Sequence, residues 1–250
     1  MSIIYSSGSK GGNGKSMTAA VLADYLIAAG HPVGIVEGDL GQPDIAQRFK
    51  DTGVHLIAVN LNRAGAAEAA VIKFAEALDG LPRDAQIVVN LPAAAEDTLD
   101  AMAPLLVEAG KSLGHESYVY YSLGHQRTAT EALMRSLRDG LLGAVGPARR
   151  CVMYPVFLQP EVARFDFVRA GAREEYLTAG GLEAAMPAIR PESLVDKVLS
   201  LPGTFTSLAA PDSALTFGER LFFGRQWLTQ AHAAVATLIT TKQREAAVNE

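Results

Sequence analysis

The stretch that decides the fold covers residues 8–16 and reads Gly8-Ser9-Lys10-Gly11-Gly12-Asn13-Gly14-Lys15-Ser16. It lies between a short apolar run, Ser2–Tyr5, and a segment, Ser16–Ala29, whose apolar residues recur three and four positions apart. Glycines let consecutive backbone N–H groups curl around an anion without Cβ clashes, and the N-terminus of the following helix adds its dipole. The stretch therefore predicts a phosphate-binding loop between the first strand and the first helix.

Two side chains at the end of this loop carry its chemistry. Lys15 is placed to reach the β- and γ-phosphates of a nucleotide, and the Ser16 hydroxyl is placed to bind Mg²⁺. The general pattern G-x-x-x-x-G-K-[ST] has glycine where this chain has Ser9. A glycine-rich turn that merely precedes a helix is the alternative, and the flanking strand and helix favour the phosphate loop. The predicted nucleotide-binding residues are Gly11, Gly12, Asn13, Gly14, Lys15, Ser16 and Met17.

The rest of the chain alternates short apolar runs with longer helical patterns, which predicts an α/β fold with a mostly parallel sheet flanked by helices. The predicted strands are rich in Val, Ile, Leu or Tyr and are Ser2–Tyr5, Val33–Val36, Leu56–Asn60, Ile87–Leu91, Tyr118–Tyr121 and Cys151–Phe157. The predicted helices between them are Ser16–Ala29, Ala66–Leu78, Thr98–Ser112 and Thr128–Arg138. Gly30, Gly80 and Gly140 each follow a helical pattern, at the place of a left-handed C-cap.

The last third of the chain is less regular. Residues Glu161–Gly180 look helical and should end at Gly180-Gly181. The segment Leu201–Asp212 contains two prolines and a glycine, and it is predicted to be a loop before a long final helix, about 213–242. Residues 243–250 are predicted to be a frayed tail. Because no internal repeat or low-complexity linker is present, residues 1–250 are predicted to form a single domain.

Composition excludes several classes of protein. The chain has 22 Lys+Arg and 27 Asp+Glu for a net charge of −5, and its 49% hydrophobic residues suffice for a full core. A single cysteine, Cys151, forms neither an internal disulfide nor a four-thiolate metal site, which fits a reducing cytosol. No signal peptide and no apolar run of about 18 residues is present. We expect a cytoplasmic protein without a membrane span, and its acidity argues against a general electrostatic surface for nucleic acid.

A second lysine makes the loop more specific. Residues Lys10–Ser16 read K-G-G-x-G-K-S and resemble the deviant Walker A motif of the ParA/MinD family of partition and division-site ATPases, in which the position before the first lysine varies. The resemblance implies ATP and Mg²⁺ as cofactors and a single P-loop ATPase domain. It also implies an ATP-dependent homodimer in which Lys10 crosses to the partner's phosphates. Lys10 and Lys15 are therefore both candidate catalytic residues.

The second strand strengthens this resemblance. Val33–Asp39 looks like the family's second strand, which ends in D-x-D, with Glu37 at the first acidic place and Asp39 at the second. A carboxylate at the carboxyl end of a strand beside the loop can orient an attacking water or a hydrated Mg²⁺. Asp39 is therefore predicted to be catalytic and, with Ser16, metal-binding. The alternative is an aspartate that only forms a turn. Gln42-Pro43-Asp44 is then assigned to the switch loop that senses the γ-phosphate.

The third site departs from the family pattern. Residues Ala85–Ala93 resemble the Walker B segment, an apolar strand ending in D-x-P, but Asn90 replaces the acid. An asparagine can hydrogen-bond a metal-bound water yet supplies no negative charge. Glu96 and Asp97 follow a few residues later and are candidates to compensate. Slow ATP hydrolysis is therefore expected, and a nucleotide-dependent scaffold with little catalysis is the alternative.

The resemblance also suggests a cellular use. It favours plasmid or chromosome partition, or the accessory ATPases of conjugative transfer, acting with a protein partner such as a DNA-binding adaptor. Direct DNA contact would fall to basic residues of the last helix, Arg220, Arg225, Lys242 and Arg244. Val152–Pro155 and Met186-Pro187 fall roughly where the family builds its adenine pocket. A small-molecule kinase or ligase of the dethiobiotin synthetase type remains a third alternative, whereas the nitrogenase-reductase branch needs more cysteines than Cys151.

Overall fold

The strands form a parallel sheet in the order β3-β2-β4-β1-β5-β6-β7. The computed structural model describes the backbone of residues 1–8, 10–61, 67–93 and 96–248, and their side chains except those of 96–98 and 240–248. Within these residues the seven strands are β1 (Ser2–Ser7), β2 (Val33–Glu37), β3 (His55–Ala58), β4 (Gln86–Asn90), β5 (Glu116–Ser122), β6 (Arg150–Pro155) and β7 (Leu182–Met186). The predicted α/β class with a mostly parallel sheet is confirmed.

Helices cover both faces of the sheet. Successive side chains of a strand point to opposite faces, so Ile3 of β1 joins the hydrophobic cluster on one face and Ile4 joins the cluster on the other. The described helices are α1 (Lys15–Ala28), α2 (Asp44–Phe49), α3 (Ala67–Asp79), α4 (Glu96–Ala101), α5 (Ala103–Ser112), α6 (Arg127–Asp139), α7 (Leu141–Val145), α8 (Asp166–Arg169), α9 (Ala172–Thr178), α10 (Val195–Ser200), α11 (Phe205–Ala209), α12 (Phe217–Phe222) and α13 (Thr229–Val248). Apolar strands buried on both faces are typical of a parallel sheet.

Two predictions in the middle of the chain need correction. The single helix expected over Thr98–Ser112 is divided between α4 and α5, because Pro104 in the first turn of α5 has no N–H and its ring blocks a continuous helix. Strand β7 was not predicted, because its sequence, Leu-Glu-Ala-Ala-Met, has a weak strand propensity. It forms an edge strand through its pairing with β6.

The last third also differs from the prediction. The segment expected to be helical over Glu161–Gly180 contains α8, α9 and one 3₁₀ turn, and it ends at Gly180 as expected. The loop predicted over Leu201–Asp212 contains α11, whose N-cap Thr204 accepts a hydrogen bond from the Ser207 amide and whose Phe205 is buried. Two further 3₁₀ turns cover Pro147–Arg149 and Glu192–Leu194.

The final helical segment begins later and ends later than predicted. It starts at Phe217, after a capping box between Thr216 and Glu219, and runs through a π-helical stretch, Phe223–Leu228, into α13. Helical backbone continues to Val248, so the tail predicted to be frayed at 243–250 is helical over most of its length. Within the described part of the chain, none of the helices has the length and apolar character needed to cross a bilayer.

Of the three predicted left-handed C-caps, only Gly30 is confirmed, with φ +80°. Gly140 has an extended conformation, with φ −117° and ψ −158°, because α7 follows it directly. A Cβ at Gly140 would lie 2.1 Å from the carboxyl carbon of Asp100, so the glycine there allows a close approach of a side chain. Gly80 also lacks a positive φ.

Candidate functional site

The site lies at the carboxyl edge of the sheet, where the loops that follow the strands converge. Strand β1 pairs with β4 on one side and β5 on the other, so the loop after β1 lies at the centre of this edge. Parallel α/β sheets bind ligands at this edge, where connections leave in opposite directions. The topology thus places residues 10–14 beside the ends of β4 and β5.

The phosphate-loop conformation depends on glycine at two positions. Gly12 has φ +77°, and Gly14, the residue before α1, has φ +87°. Both values lie in the left-handed region that L-residues with a Cβ adopt only with strain. A Cβ added at Gly11 or Gly12 would meet no atom within 4 Å, so the loop leaves open space in front of these two backbone units. This geometry suits the close approach of a phosphate.

Lys15 is the buried cation of the loop. Its side chain is nearly covered, and its Nζ donates a hydrogen bond to the Lys10 carbonyl oxygen at 2.7 Å, so the lysine folds back across the loop. The Ser6 hydroxyl donates to the Lys15 carbonyl at 2.8 Å and fixes the start of α1 to β1. Ser16 and Met17 are half-buried, and with Gly11, Gly12, Gly14 and Lys15 they line a cavity of about 550 Å³.

Asn13 and Lys10 turn away from this cavity toward the loop after β5. Asn13 is buried against Gly124, and its Nδ2 has no hydrogen-bond partner among the described residues. Lys10 is exposed, and its Nζ donates to Thr128 Oγ1 of the same chain at 3.0 Å, near the start of α6. The two lysines are therefore joined through the Lys10 carbonyl oxygen, which accepts from Lys15 Nζ, whereas the amine of Lys10 itself contacts Thr128. Ser9 lies outside the described residues.

Asp39 lies on the cavity and also forms the turn that was the alternative interpretation. It lines the cavity together with Lys15 and Ser16. Its Oδ1 also accepts hydrogen bonds from the backbone amides of Gly41 at 3.2 Å and Gln42 at 3.3 Å, which is the geometry of an Asx turn. The turn holds this carboxylate at the edge of the cavity, so the two interpretations are compatible.

Glu37, at the first acidic position of the second strand, is a site residue without a predicted catalytic or binding role. It is completely buried, and its carboxylate accepts hydrogen bonds from Asn90 Nδ2 at 2.8 Å and from the backbone amides of Asp39, Ile45 and Ala46 at 3.0–3.4 Å. Burial raises the pKa of the Glu37 carboxyl, and these hydrogen bonds oppose that rise. Asn90 is likewise buried, and its Oδ1 has no hydrogen-bond partner among the described residues.

The cavity extends further than the loop motif indicates. It continues along α1 to Arg48 and to the segment Leu199–Phe205. The Arg48 guanidinium donates to the carbonyl oxygens of Val198 and Gly203 and lies 4.2 Å from the Phe205 ring centroid. Burial lowers the pKa of Arg48 to about 10, although Asp24 acts in the opposite direction. This lining could not be predicted, because its members are distant in sequence.

Near the expected adenine pocket, the lining residue is Phe157. Val152, Met153 and Tyr154 are buried in the core and are not part of the cavity lining. The exposed Phe157, just after β6, does line the cavity, and its ring lies 2.8 Å from the position of a Cβ on Gly14. The predicted strand Cys151–Phe157 included this residue, whereas β6 ends at Pro155 and leaves Phe157 in the loop that follows.

Of the four basic residues proposed for DNA contact, the structure describes the side chains of two. Arg220 donates to the Leu215 carbonyl oxygen at 2.6 Å and thus serves the start of α12, whereas Arg225 is exposed. The side chains of Lys242 and Arg244 lie outside the described residues, as do those of Glu96 and Asp97.

The donor set suits a magnesium nucleotide. Within the residues described, no group of three or more His, Cys, Asp and Glu side chains could hold a metal by itself. Mg²⁺ needs few protein ligands, because it keeps several waters and shares its coordination with substrate phosphates. The Ser16 hydroxyl and the Asp39 carboxylate are hard oxygen ligands on one cavity, and the open glycine loop with Lys15 supplies donors for phosphate.

These features together define a P-loop nucleotide-binding fold. No protein-family model matches the chain. The fold is that of the ParA/MinD proteins, and the resemblance seen in the sequence is confirmed at this level. The chain superposes on pNOB8 ParA with a TM-score of 0.56 at 12% identity, covering 96% of this chain and 99% of that one.

Two further solved structures share this fold. A Borrelia burgdorferi protein described as a plasmid partition protein, bound to AMPPNP, gives a TM-score of 0.52 at 13% identity over 96% of this chain and 98% of its own. The MinC:MinD cell division complex of Aquifex aeolicus gives 0.51 at 14% identity over 90% and 95%. In sequence, the chain is 29% identical over 144 residues to Protein MobD of Acidithiobacillus ferrooxidans, which is 57% of this chain and 60% of MobD.

Proposed function

We propose that this chain is an ATP-dependent switch of the ParA type, which binds ATP with Mg²⁺, dimerises around the nucleotide and hydrolyses it slowly. The observation that carries the proposal is the loop itself, in which a buried Lys15 folds across an open glycine turn beside Ser16 and Asp39. When bound, Mg²⁺ would be held by Ser16 and Asp39 and would neutralise phosphate charge. Lys15 would exchange its bond to the Lys10 carbonyl for one to a phosphate.

The binding site is tested with Lys15→Ala. Because Lys15 is the only described lysine that lines the cavity, its removal should abolish binding of a fluorescent ATP analogue, a loss of at least about 100-fold in affinity. Lys50→Ala removes an exposed lysine just after α2 and is the matched control, which should bind like the wild type. Retention of ATP affinity by the Lys15 variant would refute the assignment of the site.

Lys10 has a different proposed role, at the interface of two chains. Its amine is exposed and donates to the Thr128 hydroxyl on the protein surface. A phosphate bound to a second chain can therefore replace Thr128 as the acceptor without a change in the loop. Lys10→Ala should therefore still bind ATP but fail to dimerise, as measured by light scattering with and without ATP. Thr128→Ala, which frees the same amine, should leave dimerisation intact. A wild-type chain that is monomeric in both conditions would eliminate the dimer model.

Hydrolysis depends on Asp39 in this proposal. Turnover above background that disappears in Asp39→Ala supports an ATPase, and the half-buried position of Asp39 on the cavity supports that role. A nucleotide-dependent scaffold is the second candidate, favoured by the absence of a carboxylate at Asn90. Binding and dimerisation without measurable turnover would support the scaffold.

For the cellular role we propose partition of a plasmid or chromosome, or conjugative DNA maintenance. Support comes from the folds of ParA and of the Borrelia burgdorferi partition protein. The net charge of −5 favours a protein partner that holds DNA over direct binding by this chain. Electrophoretic mobility shift with and without ATP tests this: a shift by the chain alone would contradict the adaptor model.

A further inference from the structure

The Glu37 carboxylate joins three parts of the molecule. Its Oε1 accepts from Asn90 Nδ2 of β4 and from the Asp39 amide, while its Oε2 accepts from the amides of Ile45 and Ala46 in the first turns of α2. The side chain of Glu37 is 0% exposed and that of Asn90 is 1% exposed. Four donors around one buried acid leave no oxygen without a partner, so the carboxylate fixes β2, β4 and the start of α2 relative to one another.

The chemistry at position 90 follows from this arrangement. Glu37 and Asn90 are register partners on neighbouring strands, and the Nδ2–Oε1 distance is 2.8 Å. An aspartate at position 90 would bring two carboxylate oxygens to that distance, where two like charges repel strongly. An amide of the same shape turns the repulsion into a hydrogen bond. Asn90 is thus the complement of a glutamate on β2, in place of an acid on β4.

The contact has little freedom to adjust. The Gly38 amide donates to the Asn90 carbonyl oxygen at 2.9 Å, and a Cβ at Gly38 would lie only 2.6 Å from that oxygen. The ends of β2 and β4 are therefore held in close backbone contact at the residue that precedes the segment Asp39–Ala46. Asp39 and Ile45 both line the cavity beside the phosphate loop, and the backbone amide of each donates a hydrogen bond to Glu37.

We propose that Glu37 and Asn90 form a complementary acid–amide pair, in which the acid of β2 positions the segment Asp39–Ala46 against the phosphate loop. Glu37 is a positioning residue that acts through Asp39, and Asn90 is the residue that allows its charge to be buried. The connection to nucleotide turnover rests on the proposed ATPase function, whereas the connection to the segment Asp39–Ala46 does not.

The test exchanges the two groups. Glu37→Gln places an amide nitrogen against at least one N–H donor, and Asn90→Asp places a carboxylate against Glu37. In the double variant, the side-chain amide nitrogen introduced at position 37 donates to the carboxylate introduced at position 90. The side-chain oxygen at position 37 still accepts from the backbone amides of Ile45 and Ala46. Only the bond from the backbone amide of Asp39 is lost. Glu76→Gln and Asn60→Asp make the same chemical changes at exposed positions and are the controls.

The first measurement is hydrogen exchange of residues 39–46 in the nucleotide-free protein. Each single variant should speed exchange by at least about tenfold, and the double variant should recover most of that change at Ile45 and Ala46, whose acceptor it keeps, but not at Asp39. The second measurement is ATP turnover, in which each single variant should lower kcat at least about tenfold while KM changes little, with only partial recovery in the double variant, because that variant still lacks the bond from the Asp39 amide. Single variants that fail to fold beside a folded double variant would also support the pair.

Two results would overturn the proposal. One is exchange in both single variants equal to that of the exposed controls. The other is a double variant whose defect equals the sum of the single defects, because independent sites add and a coupled pair does not. A wild-type chain that binds no ATP would instead overturn the proposed function, and exchange in the nucleotide-free protein would still decide for or against the pair.

Discussion

Replacing Asp24 by alanine should lower the free energy of unfolding by about 4 kcal/mol, a value typical of removing one partner from a buried charged network. Asp24, in α1, is 0% exposed. Its carboxylate accepts from the Thr206 amide at 2.8 Å, the Thr206 hydroxyl at 3.0 Å and His232 Nε2 at 2.6 Å. It thereby joins the helix that follows the phosphate loop to α11 and to the final helix.

The magnitude comes from these contacts. A hydrogen bond to a charged group contributes about 1.5–3 kcal/mol, and three of them sharing one acceptor contribute less than their sum. Asp24 also acts electrostatically on the buried Arg48, whose guanidinium donates hydrogen bonds to two backbone carbonyl oxygens. Asp24→Asn keeps much of the hydrogen bonding and removes the charge, so it should cost about 2 kcal/mol.

The assay is urea denaturation followed by far-UV circular dichroism, with thermal unfolding beside it. For a chain of this size, a loss of about 4 kcal/mol corresponds to a fall in Tm of about 8–16 °C. Asp79→Ala is the matched control, because Asp79 pairs with Arg83 on the surface, with side chains 64% and 58% exposed, and should cost under about 1 kcal/mol. Equal losses for Asp24→Ala and Asp79→Ala would refute the reasoning.

Three further predictions concern other parts of the chain. Gly14→Ala introduces a Cβ at φ +87° and 2.8 Å from the Phe157 ring, so ATP affinity measured by calorimetry should fall at least about tenfold, with partial recovery in Gly14→Ala/Phe157→Ala. Gly140→Ala should destabilise the fold by about 2 kcal/mol because its Cβ would overlap the Asp100 carboxylate. Gly218→Ala lies in α12 with open space around it and should stabilise the fold by about 0.5–1 kcal/mol. The midpoints of urea denaturation compare the two variants. Burial raises the pKa of Tyr5, Tyr120 and Tyr176 above the ordinary 10.0. Unfolding therefore releases their protons, and stability that is intact below about pH 10 should fall above it by about 1.4 kcal/mol per pH unit for each tyrosine; a free energy of unfolding that does not fall as the pH rises above about 10 would contradict this.

The local part of the site could be predicted from the sequence. A glycine-rich stretch between an apolar strand and an amphipathic helix determines its own backbone path, and the observed φ values at Gly12 and Gly14 agree with it. Most strand and helix positions could likewise be predicted from apolar periodicity, because that pattern also depends on residues close along the chain. The prediction failed where local and tertiary preferences disagree, as in β7, whose weak strand sequence is decided by pairing with β6.

The partners of the site residues could not be predicted. Asn90 was interpreted as a missing acid, since the sequence does not show that its amide faces a glutamate 53 positions earlier. That contact depends on β2 and β4 becoming neighbours in a register that pairs Glu37 with Asn90. Likewise, Arg48 joins the cavity wall through carbonyl oxygens of residues 198 and 203, which no local pattern connects to α2.

By itself, the sequence determined a glycine-rich loop with two lysines between a strand and a helix, a parallel α/β sheet and an acid at the end of the second strand, because each depends on residues that are close along the chain. The tertiary structure decided which groups that acid and its neighbours meet. Side chains from separate strands are brought together only by strand order and register, and a buried charge is stable only where such long-range donors surround it. The contacts of Glu37, Asn90 and Asp24 therefore depend on the tertiary structure and cannot be predicted from the loop motif.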